Sequence, residues 1–122
     1  MSEPTEDGVT VICLEESEWD VFNRARLSDA LSSAVDRPRL VIDFSTARYF
    51  DSAAISVLLT LYRERFHERG FPPASLVVSA PNVRRTFQMM GVDRLWPLYW
   101  TLEEAVAALD SDDSEEPTKG LA

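Results

Sequence analysis

The sequence predicts an α/β domain: a small, mixed but mostly parallel sheet of four or five strands with about four helices packed on it. Three observations carry this expectation. Short β-branched runs alternate with segments of helical periodicity, strand then helix, repeatedly along the chain, the order that favours parallel pairing through helical crossovers. Two of those runs, R-L-V-I-D-F at 39–44 and S-L-V-V-S at 75–79, are apolar almost throughout, as strands covered on both faces are. And 122 residues suit one domain with one core.

Each element has its own signals. The first strand is T-V-I-C-L at 10–14, and its Cys13, the only cysteine, is expected as a buried strand thiol. From Asn23 onward Leu27, Leu31, Ala34 and Val35 fall on one helical face, which ends before Pro38. After the second strand, Ile55, Leu58, Leu59, Tyr62 and Phe66 form a longer apolar stripe on a helix starting at Ser52, closed by Gly70 ahead of Pro72 and Pro73. Pro81 suits the first position of the next helix, Val83, Phe87 and Met90 give its face, and Gly91 stops it. The run L-W-P-L-Y-W at 95–100 reads as a strand whose Pro97 cannot donate to a ladder, so it belongs at an edge. Thr101 and Glu104 have capping-box spacing ahead of Leu102, Ala105, Val106 and Leu109, the closing helix. Val41, Ile42, Leu58, Val77 and Phe87 are expected in the core.

Charge sorts the chain into a body and two ends. The net charge is −9, yet residues 1–8 carry Glu3, Glu6 and Asp7, and residues 110–122 carry five acids against Lys119, leaving the body at −2. The expected layout is therefore an acidic flexible N-terminus at 1–8, a folded domain at 9–109 and an acidic disordered tail at 110–122. With no lysine in the body and its arginines balanced by acids, direct nucleic-acid binding is not expected. No apolar run approaches the ~20 residues of a membrane span, and the acidic start is unlike a secretory signal, so a cytoplasmic protein without membrane insertion is expected.

The stretch D-F-S-T-A-R-Y-F-D-S-A-A-I at 43–55 concentrates the functional question. Asp51 and Ser52 stand where a strand and a short loop give way to a helix. Ser52, Ser56, Thr60, Arg63 and His67 recur at steps of three or four, a polar stripe away from the apolar one, so Ser52 should sit exposed at the helix tip. There the free backbone N–H groups tolerate an anion. On local pattern, helix capping by Asp51 or Ser52 is the plainer explanation of the pair, and it is compatible with the other, since a capping hydroxyl can also be a phosphoacceptor.

Chemistry by the chain itself finds few parts. His67, the only histidine, lies fifteen residues further along the same helix, about 22 Å away, beyond the reach of a general base for Ser52. The G-x-S-x-G elbow is missing, the four glycines are isolated, and one cysteine with one histidine make no metal site. Asp43 ends a strand as the acceptor of a receiver-type domain does, but the only lysine is Lys119 in the tail. No catalytic residue, metal or cofactor is expected.

These residues resemble a family. L-V-I-D-F-S-T-A-R-Y-F-D-S-A-A-I-S-V-L-L is similar to the strand–loop–helix signature of STAS domains, the fold shared by bacterial anti-sigma factor antagonists and sulfate-transporter tails. A-P-N-V-R-R-T-F-Q-M-M-G-V-D-R-L resembles the family's later P-x-V-[KR]-R-x-F-x-x-x-G segment. E-W-D at 18–20 is similar to its G-E-L-D corner, with Ser17 for the glycine and Trp19 for the leucine, and T-L-E-E-A-V-A-A-L resembles its closing helix. The likeness covers about residues 9–109 and implies a STAS-like domain. It further implies that Ser52 is phosphorylated by an anti-sigma factor that is also a serine kinase of the GHKL type. The unphosphorylated protein then sequesters that kinase and so frees a sigma factor, and a serine phosphatase resets the switch. Asp20, Asp51, Ser52 and Ser56 are the partner-binding residues it implies. Two departures stand out: Ala54 occupies a usual glycine, adding a methyl at the helix tip, and the N-terminal strand of many members reads as shortened or missing. A second expectation is a STAS subunit docked on a membrane transporter or a stress-signalling assembly, with no phosphorylation at Ser52.

Overall fold

The structure, a computed structural model, describes residues 2–4 and 8–114, and the side chains of 8–109. In chain order it comprises β1 (Ser2–Pro4), β2 (Thr10–Cys13), β3 (Glu18–Trp19), α1 (Arg24–Ser32), β4 (Leu40–Asp43), β5 (Tyr49–Phe50), α2 (Ser52–Tyr62) running into a π-helical turn (Arg63–Glu68), β6 (Ser75–Val77), α3 (Pro81–Met89), α4 (Val92–Leu95), β7 (Leu98–Tyr99) and α5 (Leu102–Ser114). The main sheet has the order β1-β2-β4-β6-β7. β1 pairs antiparallel and the other strands pair parallel. This is the mixed, mostly parallel α/β arrangement that the alternating pattern predicts, and β7 takes the edge, as Pro97 requires.

Two expectations about the ends change. Ser2–Pro4 form a strand in register with Thr10–Ile12, so the N-terminal strand is short but present, and these residues are not a free end. At the other end α5 continues to Ser114, past the expected boundary at 109, because the helix opened by its cap runs on into 110–114. Thr101 Oγ1 accepts from Glu104 N at 3.1 Å while Glu104 Oε1 accepts from Trp100 N at 3.0 Å, the reciprocal pairing of a capping box shifted by one residue. The expectations for residues 1, 5–7 and 115–122 lie outside the described residues.

Strand alternation divides the interior into two cores. On one face the register row Ile12, Ile42, Leu76 and Leu98 packs with Leu27 and Leu31 of α1, Ile55 and Leu58 of α2, and Val83 and Phe87 of α3. On the other, Val9, Val11, Val41 and Val77 pack beneath Ala105 of α5. Val41, Ile42, Leu58, Val77 and Phe87 are all fully buried. They do not form one cluster, however: Val41 and Val77 point to the α5 face because side chains along a strand alternate. Leu58→Ala should cost about 2–5 kcal/mol, since a wholly buried leucine leaves a cavity. Urea denaturation measures this, and a cost near zero would mean the α2 register is misread.

Cys13 corrects another expectation. It is exposed, not buried, because it ends β2 on a stretch that α5 leaves uncovered. Its Sγ lies 3.9 Å from Asp43 Oδ2, and partial burial together with that carboxylate raises the thiol above its ordinary pKa. The thiol form is therefore favoured.

Phe66 also departs from its predicted place. The buried line on α2 runs through Leu58 and Leu61 to Arg65, which is fully buried. Phe66 is half-exposed and stacks on Tyr62 at 5.5 Å between centroids.

Candidate functional site

The start of α2 is built from two strands that sequence periodicity cannot show. β3 and β5 form a separate two-stranded parallel ladder, Glu18 opposite Tyr49 and Trp19 opposite Phe50. Arg48 N and Tyr49 N both donate to Ser17 O, at 2.6 and 3.2 Å, and Asp51 N donates to Trp19 O at 3.1 Å. At two residues each, these strands are too short to display an alternation.

An aromatic cluster supports this ladder from below. Phe50 meets Phe44 and Phe87 edge-on, each at 4.9 Å between centroids, and Trp19 meets Phe44 at 6.5 Å. Such pairs add to the stabilisation from buried area. From α3, Asn82 Nδ2 donates to Arg48 O at 2.8 Å. The loop that delivers Ser52 is thus fixed on three sides.

Asp51 caps the helix. Its backbone is extended (φ −108°, ψ 178°), and its Oδ1 accepts from Ala54 N at 3.0 Å, satisfying one of the orphan donors of the first turn. Its second oxygen, Oδ2, accepts from Val21 N at 3.2 Å, tying α2 to the corner between β3 and α1. Ser52 follows as the first helical residue, exposed. With capping done by Asp51, the Ser52 hydroxyl has no hydrogen-bond partner among the described residues.

The corner itself is locked by its own polar groups. Asp20 Oδ1 accepts from Phe22 N at 2.9 Å, Asp20 N donates to Asn23 Oδ1 at 2.9 Å, and Asn23 Nδ2 donates to Glu18 O at 2.9 Å. These side-chain-to-backbone turns hold Val21 and Phe22 outward, 53% and 92% exposed. A nearly naked phenylalanine on a rigid turn is an unusual use of a large apolar side chain. Its sequence signal was available: a D-V-F-N tetrapeptide whose aspartate and asparagine fold the turn around two apolar residues.

Of the residues read from sequence, Asp51 and the Asp20 corner are brought together through Val21. Ser56 lies one turn beyond Ser52 on the same exposed face, and its Oγ donates to Ala53 O at 2.7 Å. Ala54 does not put a methyl on the surface; it is fully buried and packs in the core. Asp43 is used locally, its Oδ1 accepting from Ser45 N at 2.9 Å. Exposed His67 meets Tyr62 and Phe66 edge-on in the π-helical turn, at the far end of the helix from Ser52. Among the described residues, no three His, Cys, Asp or Glu side chains gather to hold a metal ion, and no helix is long and apolar enough to cross a membrane.

Comparison with known proteins places this geometry. The family model described as "Mlab, STAS domain" matches residues 3–99. No curated protein matches the sequence. Among solved structures, the chain is similar to an anti-sigma factor antagonist from Mycobacterium paratuberculosis at 30% identity, over 90% of this chain and 92% of that one, with a TM-score of 0.77. It is also similar to the anti-sigma factor antagonist SpoIIAA in its unphosphorylated form, at 23% identity over 91% and 96% of the two chains, TM-score 0.70. The phosphorylated form of the Bacillus SpoIIAA aligns at 22% identity over 89% and 97%, TM-score 0.63. These last two likenesses speak for the fold alone. With the family model spanning most of the chain and the strand–loop–helix signature in place, this protein belongs to the STAS domain family.

Proposed function

We propose that this protein is an anti-sigma factor antagonist, a binding switch controlled by phosphorylation of Ser52. Unphosphorylated, it sequesters an anti-sigma factor that is also a serine kinase of the GHKL type, and so releases a sigma factor. The kinase phosphorylates Ser52 and dissociates, and a serine phosphatase restores the binding form. The observation that carries this reading is the free, exposed Ser52 hydroxyl on a helix start already capped by Asp51. With the cap made by Asp51, modifying Ser52 removes no capping bond.

The neighbouring surface fits the role. Asp20 and Asp51 shape the corner, Ser56 extends the polar face, and Phe22 offers a rigid apolar anchor of the kind that dominates binding energy at interfaces. The chain supplies no base for Ser52, so the partner must supply Mg²⁺ and ATP and orient the nucleophile. The Mycobacterium antagonist at 30% identity supports the assignment.

Near-total exposure of Phe22 also suits a permanent contact, and this favours one alternative: a subunit docked on a membrane transporter or stress-signalling assembly without phosphorylation at Ser52. Labelling decides between them. Incubation with the cognate kinase and ATP should place one phosphate on Ser52, located by mass spectrometry and lost in Ser52→Ala. Phosphate on Ser56 or Thr60 but not on Ser52 would defeat the assignment.

A further inference from the structure

α1 and α2 follow successive parallel strands and pack on the same sheet face, so they run side by side in the same direction. Between them lies an open groove of about 380 Å³, lined by Arg24, Ser28 and Ser32 of α1, by Ser56 and Thr60 of α2 and by Glu64 of the π-helical turn, among others. Parallel helices put Arg24 and Ser56 at the same end of this groove, the end nearest Ser52. A second tether acts there: the Val21 N bond to Asp51 Oδ2 at 3.2 Å fixes the corner before α1 against the residue before Ser52.

The polar groups at this end are unequal. Ser56 Oγ donates to Ala53 O at 2.7 Å and Thr60 Oγ1 to Ser56 O at 3.1 Å, so both hydroxyl protons are committed to the helix and only lone pairs face outward. Asp51 and Asp20 are engaged by backbone N–H groups, and Arg26 is paired with Glu16 at 2.9 Å. Glu18 is exposed on β3 and Arg48 is exposed just before β5. Arg24, exposed at the groove mouth, has no hydrogen bond or ion pair among the described residues. Of the residues lining the groove, Arg24 is therefore the one cation, and it is uncommitted, while past Ser52 itself the hydroxyl protons of α2 at this end are already committed.

We propose that Arg24 is the built-in counter-charge for a phosphate on Ser52, closing over the mouth of the α1–α2 groove to hold the phosphoryl group against the protein's own surface. This rests on Ser52 being the modified residue. Arginine suits the task because its planar fork meets two phosphate oxygens at once. Such pairing turns the phosphate toward α1, away from an approaching partner, and converts the open groove into part of the phosphorylated state.

The test uses full-length protein with phosphoserine installed at position 52 during translation, so no kinase is involved. Phosphorus NMR then follows the second ionisation of the phosphate as pH is varied. The pair favours the dianion, so Arg24→Ala should raise that pKa by roughly 0.5 unit, the size expected of one partly solvated charge pair. Arg24→Lys should recover part of the difference, and Arg48→Ala should leave the value unchanged. An Arg24→Ala titration that overlays the wild type, or a shift produced by Arg48→Ala instead, would overturn the proposal. Because the phosphate is placed synthetically, such a failure leaves the kinase-labelling result standing, and a failed labelling leaves this one readable.

Discussion

Arg65→Ala should destabilise the domain by about 3–5 kcal/mol, among the largest losses expected of a single substitution, because it combines a cavity with several buried acceptors left unpaired. Arg65 is fully buried. Its Nη1 donates to Arg37 O at 2.6 Å, and its Nη2 donates to Pro38 O at 3.2 Å and Pro72 O at 2.8 Å. Those carbonyls belong to the turn before β4 and the loop before β6, where prolines interrupt any regular ladder and leave acceptors without backbone partners. One guanidinium therefore closes both connections. The Phe71 ring lies 5.6 Å from its Cζ and adds a cation–π contact. Burial lowers the Arg65 pKa to about 10, so the group remains charged at neutral pH and its bonds are charge-assisted. Arg65→Met should fall between wild type and alanine, filling volume without donating. Urea denaturation of the three proteins measures the series, and a methionine variant as stable as wild type would show that the carbonyls need no donor.

Arg65 also shows where sequence reading stops. Its position on the buried line through Leu58 and Leu61 follows from ordinary helical spacing, but a charged residue is not counted toward a core unless its partners are known. The partners here are main-chain carbonyls 27, 28 and 7 residues away, which carry no sequence signature. Phe66, the natural choice for the buried line by hydrophobicity, lies half-exposed at the surface. By contrast, β2, β4, β6 and the long helices were legible because each shows a period or an apolar run long enough to read. What periodicity left open was which sheet face Val41 and Val77 occupy, since a strand covered on both faces has no polar side to orient it.

The candidate site was legible as a helix start and hidden in its architecture. Asp51 and Ser52 could be placed at a helix start from caps and spacing alone. Nothing in the sequence divided the labour between them, because aspartate and serine are both good caps; the bonds from Ala54 N and Val21 N to Asp51 settle it. The β3–β5 ladder depends on main-chain pairing between segments about thirty residues apart, and the tie from the D-V-F-N corner to Asp51 spans the same distance, both beyond any local pattern. Trp19 illustrates the difference: its place in the corner motif was visible, whereas its burial against Phe44 follows only from the folded ladder.

That division of labour sets the expected behaviour of Ser52 variants. Under the proposed switch, Ser52→Ala should bind the cognate kinase as wild type does and should stay bound when ATP is added, since the hydroxyl it removes makes no bond within the described residues. Ser52→Asp should bind at least tenfold more weakly, a loss of about 1.4 kcal/mol or more, because a new carboxylate must be desolvated in the interface beside Asp51. A phosphate, with roughly −1.5 to −2 charges, should weaken the complex further. Stability should move the other way or not at all: a negative group in the first turn of α2 gains about 0.3–1 kcal/mol from the helix end. Calorimetric titration against the kinase, paired with thermal melts of the free variants, separates the two effects. An aspartate variant that binds like wild type would remove charge as the switch. One that binds weakly but also melts many degrees lower would trace the loss to a damaged helix start and not to the surface it presents.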